Sequence, residues 1–119
     1  MSAFAIDDSA KRLLWAKADH TIELWDLDRA VSLATLRGHS EKINAVAFGP
    51  DDQYVVSCSR DRTARAWDTS TGRQIAAYTA DSALRSIALS PHDDVVAVGD
   101  VAGRVHLLRL EGRDQRRGA

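Results

Sequence analysis

Residues 38–68 read GHSEKINAVAFGPDDQYVVSCSRDRTARAWD, and the fold is decided by how this stretch divides. It opens on Gly38-His39-Ser40 and passes into an apolar run, Ile43–Phe48. The cluster Gly49-Pro50-Asp51-Asp52 interrupts it, and a second run, Tyr54–Ser59, follows. Arg60-Asp61-Arg62 makes a polar corner before a third run, Thr63–Asp68, which ends on Trp67-Asp68. Short runs rich in Val, Ile, Tyr and Thr, bounded by Gly, Pro and Asp, are strands joined by tight turns. No apolar stripe at helical spacing persists long enough to support a helix.

Working outward, the same pattern recurs. Residues 4–36 lie on residues 46–78 without a gap at a spacing of 42: Ala5 falls on Ala47, Asp19 on Asp61, Thr21 on Thr63, Trp25 on Trp67 and Asp26 on Asp68. A third copy follows at a spacing of 41, with Ala88 on Ala47, Pro91 on Pro50, Asp93 on Asp52 and Val96 on Val55. A period of 40–45 residues with about four short strands in each period marks a repeat architecture in which each unit is one small sheet. The first copy divides into strands at Ala3–Ile6, Arg12–Lys17, Thr21–Leu27 and Val31–Leu36. The second gives Ile43–Phe48, Tyr54–Ser59, Thr63–Asp68 and Gln74–Thr79, and the third Arg85–Leu89, Val95–Gly99 and Arg104–Leu110. Strands such as Ala45-Val46-Ala47-Phe48 are apolar on both faces, as a sheet sandwiched between neighbours requires.

The Gly38-His39 pair, Asp61 and the Trp67-Asp68 pair resemble the WD-repeat family, and Asp19 with Trp25-Asp26 carries the likeness into the first copy. The resemblance implies an all-β fold of propeller blades, here two complete four-stranded blades (1–37 and 38–80) and a three-stranded third (81–111), an incomplete propeller as a single chain. Residues 112–119 are expected to be a disordered tail. The resemblance also implies a polar network in which the Trp67 indole bonds a serine hydroxyl, Ser57 or Ser59, which bonds His39, whose other nitrogen reaches Asp61. Each of these groups would cost about 1–3 kcal/mol if buried without a partner, so linking them in series is physically sound whatever the family. The first copy keeps Asp19 and Trp25 but has Trp15 where Ser57 stands; the third has Ala80, Ala102 and Leu108 at the three key positions. Its packing is expected to rest on Val95, Val96, Val98, Val105, Leu107 and Leu110.

Ser57, His39 and Asp61 also have the residue types of a hydrolase triad. A nucleophile needs exposure and an oxyanion hole, whereas this serine is expected mid-strand with its hydroxyl committed to Trp67. A structural role is therefore preferred, with no catalytic, cofactor or metal site assigned. The histidines are scattered and none shows metal-ligand spacing; His106, alternating with apolar residues, is expected to be packed, and Cys58 to be a buried thiol.

Composition limits the partners. Sixteen basic and seventeen acidic residues leave a net charge of −1, against nucleic acid or an anionic membrane as a partner. One cysteine excludes an intrachain disulfide framework, and the first residues show no basic and apolar leader, so a cytoplasmic location is expected. The expected function is a non-enzymatic protein-interaction scaffold. Partner contacts are assigned to loops 37–42, 79–83, 17–20, 59–62 and 99–103, with Arg60, Arg62, Lys42 and Glu41 as candidates. Too few blades are present to close a ring of 4–8, which leaves two readings: the remnant or excised end of a longer propeller, or head-to-tail assembly of copies, the latter preferred, with a dimer first and a trimer second. Residues 97–111 carry a narrower resemblance to the closing repeat of propellers in bacterial signal-transduction ATPases, which makes a sensor or regulatory fragment of such a protein the alternative.

Overall fold

The computed structural model describes residues 3–7, 9–90 and 94–110. They form three antiparallel sheets in which spatial order follows chain order. Sheet 1 comprises β1 (Phe4–Ile6), β2 (Arg12–Ala16), β3 (Ile22–Asp26) and β4 (Val31–Leu36). Sheet 2 comprises β5 (Ile43–Phe48), β6 (Tyr54–Ser59), β7 (Thr63–Asp68) and β8 (Gln74–Thr79). Sheet 3 has β9 (Leu84–Leu89), β10 (Val95–Asp100) and β11 (Val105–Arg109), and no fourth strand lies among the described residues. The bounds in sheet 2 are those the turn residues set; a short 3-10 turn at Pro50–Asp52 joins β5 to β6.

The period is visible in the backbone as well as in the side chains. Left-handed residues come in sets one period apart: Ala10 and Asp52; Ala30 and Gly72; His20, Arg62 and Gly103. The register shifts at Leu24/Trp25 in sheet 1 and at Ala66/Trp67 in sheet 2, again one period apart. Such bulges bend the strand and re-aim the residue that follows, here the tryptophan.

Two apolar layers hold the sheets together. Leu14, Ala16, Ile22, Leu24 and Leu36 of sheet 1 pack against Ile43, Val46, Val55 and Trp67 of sheet 2. The opposite face of sheet 2, with Tyr54, Val56, Cys58, Ala64 and Ala66, packs against Leu84, Val96 and Val98 of sheet 3. Sheet 2 is therefore covered on both sides, and every residue of β6 is buried. This is why its strands read as apolar runs and not as a clean alternation.

Sheet 3 departs from the sequence expectation. Val96 and Val98 are buried, but Val105 and Leu107 are 69% and 74% exposed, because their face of β11 has no neighbouring sheet. Apolar packing is supplemented by polar ties to sheet 2. The Asn44 side-chain amide donates to the Leu84 carbonyl at 2.7 Å, and the Tyr54 hydroxyl donates to Asp94 at 3.3 Å.

Tyr54 is fully buried and lies across Gly49, where an added Cβ would stand 2.5 Å from the ring. Gly49→Ala is expected to lower unfolding stability by about 1–3 kcal/mol through overpacking, read as a shift in denaturant midpoint. An unchanged midpoint would show that Tyr54 is not held there.

Candidate functional site: a buried hydrogen-bond relay beneath a basic corner

The loop between β4 and β5 brings Gly38-His39 over the β6–β7 corner of sheet 2. The Trp67 indole N–H donates to Ser57 Oγ at 3.0 Å, and Ser57 Oγ lies 2.6 Å from His39 Nε2. On the other side of the ring, His39 Nδ1 lies 2.9 Å from Asp61 Oδ2. A single set of protons satisfies all four groups. The indole donates to Ser57, the Ser57 hydroxyl donates to Nε2, and Nδ1–H donates to the carboxylate, with His39 neutral. Asp61 is further held by the backbone N–H groups of Ser40 (3.0 Å) and Thr63 (2.9 Å) and by the Thr63 hydroxyl at 2.5 Å. Of the two serines the sequence leaves open, the relay passes through Ser57. The Ser59 hydroxyl lies 2.8 Å from the Lys42 carbonyl and accepts from the Asp61 N–H at 3.0 Å. Gly38 permits the close approach, since a Cβ there would meet the Trp67 ring at 3.0 Å and Arg65 at 3.2 Å.

The spacing of Ser57, His39 and Asp61 matches that of a nucleophile, a base and its orienting carboxylate, but the site is sealed. Ser57 has no exposed surface, and the His39 side chain is 1% exposed. Burial lowers the His39 pKa, opposed by the hydrogen bond and charge of Asp61. Burial pushes the Asp61 carboxyl up, yet the hydrogen bonds from Thr63, His39 and the Ser40 amide overcome this and hold it at about 2. Cys58, beside Ser57 on β6, is fully buried, and burial pushes its thiol up to about 12, which leaves no thiolate at neutral pH. Among the described residues no group of three or more His, Cys, Asp or Glu side chains is placed to hold a metal ion.

Above the relay the chain is exposed. The Arg60 amide bonds the Lys42 carbonyl and the Ala80 amide bonds the Arg62 carbonyl, so loops 37–42, 59–62 and 79–83 meet at one end of the sheets. The Val101 amide bonds the Ala83 carbonyl and extends that end to sheet 3. Arg60, Arg62, Lys42 and Glu41 are all exposed, and none forms an ion pair among the described residues. Asp61 points inward while its two arginine neighbours point out, so the corner is basic on its surface.

The remaining network residues are not brought into one relay. Asp19 accepts from the Thr21 hydroxyl at 2.6 Å and its amide at 3.1 Å, which lowers its pKa. Trp25 donates to Glu23 at 2.7 Å, and Glu23 also receives Lys17 at 3.0 Å. Trp15, in the place of Ser57, stacks on Phe4 with ring centroids 6.2 Å apart and planes 3° apart.

Sheet 3 has a polar brace of a different make, which the sequence reading missed. Asp100 Oδ2 lies 3.0 Å from His106 Nε2, and the Tyr78 hydroxyl of sheet 2 lies 2.9 Å from His106 Nδ1. Asp100 Oδ1 accepts the amides of Ala102 and Arg104 at 3.0 and 2.9 Å. With the His106 bond contributing most, these contacts hold the Asp100 carboxyl well below the usual range. An aspartate and a histidine on either side of the turn at Gly103 were the available signal; Tyr78 comes from another sheet and left none.

The relay makes stability fall on acidification in two stages. His39 binds its proton less readily in the folded chain than its ordinary 6.5, so stability present above pH 6.5 is lost as pH falls below it. Asp61, shifted from 3.8 to about 2, adds on the order of 2 kcal/mol that is lost between those values. Denaturant titrations across pH are expected to show both limbs, and His39→Gln to flatten the upper one. An upper limb that survives that substitution would contradict the assignment.

Comparison with known proteins follows from this geometry. Residues 30–68 match the family model described as WD domain, G-beta repeat. The chain is similar to Protein groucho of Drosophila melanogaster, 27% identical over 95% of this chain and 16% of that protein. It is similar to WD repeat-containing protein 36 of Homo sapiens, 31% identical over 70% of the chain and 9% of that protein. It is also similar to Nuclear distribution protein PAC1 of Arthroderma otae, 44% identical over 56% and 14%. The chain thus spans less than a fifth of the length of each of these relatives. They lend no support to the narrower likeness to bacterial signal-transduction ATPases. With its sheets as blades of an incomplete propeller, and its second blade closed by the glycine–histidine to tryptophan–aspartate pattern, the chain belongs to the WD-repeat family.

Proposed function

We propose that this chain is a non-enzymatic protein-interaction module, with its binding surface at the loop end of the sheets. The observation that carries the reading is the division of labour at the β6–β7 corner. Asp61 and His39 are turned inward and fully engaged, while Arg60, Arg62 and Lys42 stand exposed without an ion-pair partner among the described residues. Two guanidinium groups flanking a rigid turn offer forked donors for carboxylates, and Glu41 on the adjacent loop adds a register contact for a basic group.

The chain also presents two uncovered sheet faces. Self-association of copies head-to-tail, as a dimer first and a trimer second, is the further part of this reading: two copies supply six blades, within the usual range of closed propellers, and three supply nine. A heterologous contact of this kind closes only when its rotation fits the ring.

Two measurements test the reading. Binding of Asp/Glu-rich peptides by fluorescence anisotropy is expected to weaken about 10-fold in the Arg60→Ala, Arg62→Ala double variant and to fall with salt; unchanged affinity removes the corner from the surface. A serine-reactive fluorophosphonate is expected to leave the native chain unlabelled, because Ser57 is sealed. Labelling of Ser57 in the folded chain would overturn the non-enzymatic assignment.

A further inference from the structure

Each sheet has two faces, and the period assigns equivalent positions to each. The faces that meet inside the chain are the leading face of one sheet, with Leu14 and Ala16 in sheet 1 and Val56 and Cys58 in sheet 2, and the trailing face of the next. The trailing face of sheet 2 carries Val46, Val55 and Trp67; that of sheet 3 carries Ile87, Val96 and Leu108. One period away lie two faces without a partner among the described residues. The trailing face of sheet 1 carries Phe4, Ile6, Leu13 and Trp15, and the leading face of sheet 3 carries Ala97, Gly99, Val105 and Leu107. The four most exposed large apolar side chains of the described chain are Leu107 (74%), Val105 (69%), Phe4 and Ile6 (59% each), and all four belong to these two faces.

Their sizes are matched in a way that the internal pairs are not. On the second strand, the leading positions are Leu14 and Ala16 in sheet 1, Val56 and Cys58 in sheet 2, and only Ala97 and Gly99 in sheet 3. The corresponding trailing positions are Val55 and Ser57, Val96 and Val98, and in sheet 1 the bulky Leu13 and Trp15, with Phe4 stacked on Trp15. On the second strand, the largest trailing pair and the smallest leading pair are therefore on the two faces left open, with Val105 and Leu107 standing beside the small floor. Close packing rewards such a pairing of bulk with space.

We infer that the Phe4–Trp15 face of sheet 1 docks on the Ala97–Gly99 floor of sheet 3 in a second copy of this chain, with Val105 and Leu107 bordering the seat. This rests on the head-to-tail reading above and specifies its interface. The contact joins unlike faces, so each copy keeps one of each, and two copies satisfy all four.

Sedimentation velocity and light scattering on the 119-residue chain test it. The expected mass is twice the 13.0 kDa of one chain. Phe4→Arg and Leu107→Arg each place a charge in the contact and are expected to weaken association about 100-fold or more. Both side chains are exposed in the single chain, so the denaturant midpoint should hold at concentrations where wild type and variants are all monomeric, and Val101→Arg, on an exposed turn, serves as the control. Mixed together, the Phe4→Arg and Leu107→Arg variants are expected to form a one-to-one dimer, because one intact pair of unlike faces remains. Association insensitive to both substitutions would overturn this interface while leaving self-association in place. A wild-type chain monomeric at all concentrations, yet binding acidic peptides, would overturn both and leave the basic corner standing. Failure of the mixture to associate would overturn the head-to-tail arrangement.

Discussion

The bond from Trp67 through Ser57 and His39 to Asp61 is the constraint on which the centre of the molecule depends. It links a loop and two strands that are separate in sequence, spanning 28 residues from His39 to Trp67. Three of its members would be expensive in isolation: a buried indole N–H, a buried hydroxyl and a carboxylate largely removed from water. In series each finds a partner, and His39 is fixed as the neutral tautomer that donates at one nitrogen and accepts at the other. Because Trp67 is also part of the apolar layer between sheets 1 and 2, the relay sets the position of a packing residue. Polar satisfaction and hydrophobic contact are coupled at this side chain.

Sheet 3 answers the same structural demand with different chemistry. Its turn aspartate, Asp100, is saturated by backbone amides, Arg104 and His106, and the histidine reaches across to Tyr78 of the preceding sheet. In sheet 2 the histidine enters from the loop before the sheet; in sheet 3 it lies on the strand after the turn. A buried carboxylate at a tight turn needs donors, and their source in the sequence is free to vary. Sheet 1, whose trailing face is open, uses Glu23, Lys17 and Trp25 in a partly exposed cluster instead.

Much of the fold was legible because short apolar runs are bounded by turn residues whose backbone requirements are local. Gly49-Pro50 and Arg60-Asp61-Arg62 delimit the first three strands of sheet 2 at the residues where they end. The relay residues were legible through their spacing in a familiar pattern, although Ser57 and Ser59 face the same way on one strand, and only their distances to Trp67 and to the Lys42 carbonyl separate them. Exposure was less legible. Val105 and Leu107 alternate as core residues do, and nothing local distinguishes a face covered by a neighbour from one without a neighbour. The Tyr78–His106 contact was invisible for the same reason: it depends on how two sheets lie against each other.

The functional reading grows from the same geometry. A corner whose acidic residue is consumed by the relay is left with Arg60 and Arg62 exposed on its surface. In the proposed reading binding falls to the exterior, while Ser57, His39 and Asp61, the residues that look most like chemistry, are buried and bonded to one another. The most direct test is a double-mutant cycle on unfolding free energy with Ser57→Ala and Asp61→Asn, two residues that act on each other only through His39. The relay predicts that the double variant costs less than the sum of the two single ones by about 1 kcal/mol or more. Strict additivity would contradict it, since it would mean that the two ends of the network stabilise the blade independently.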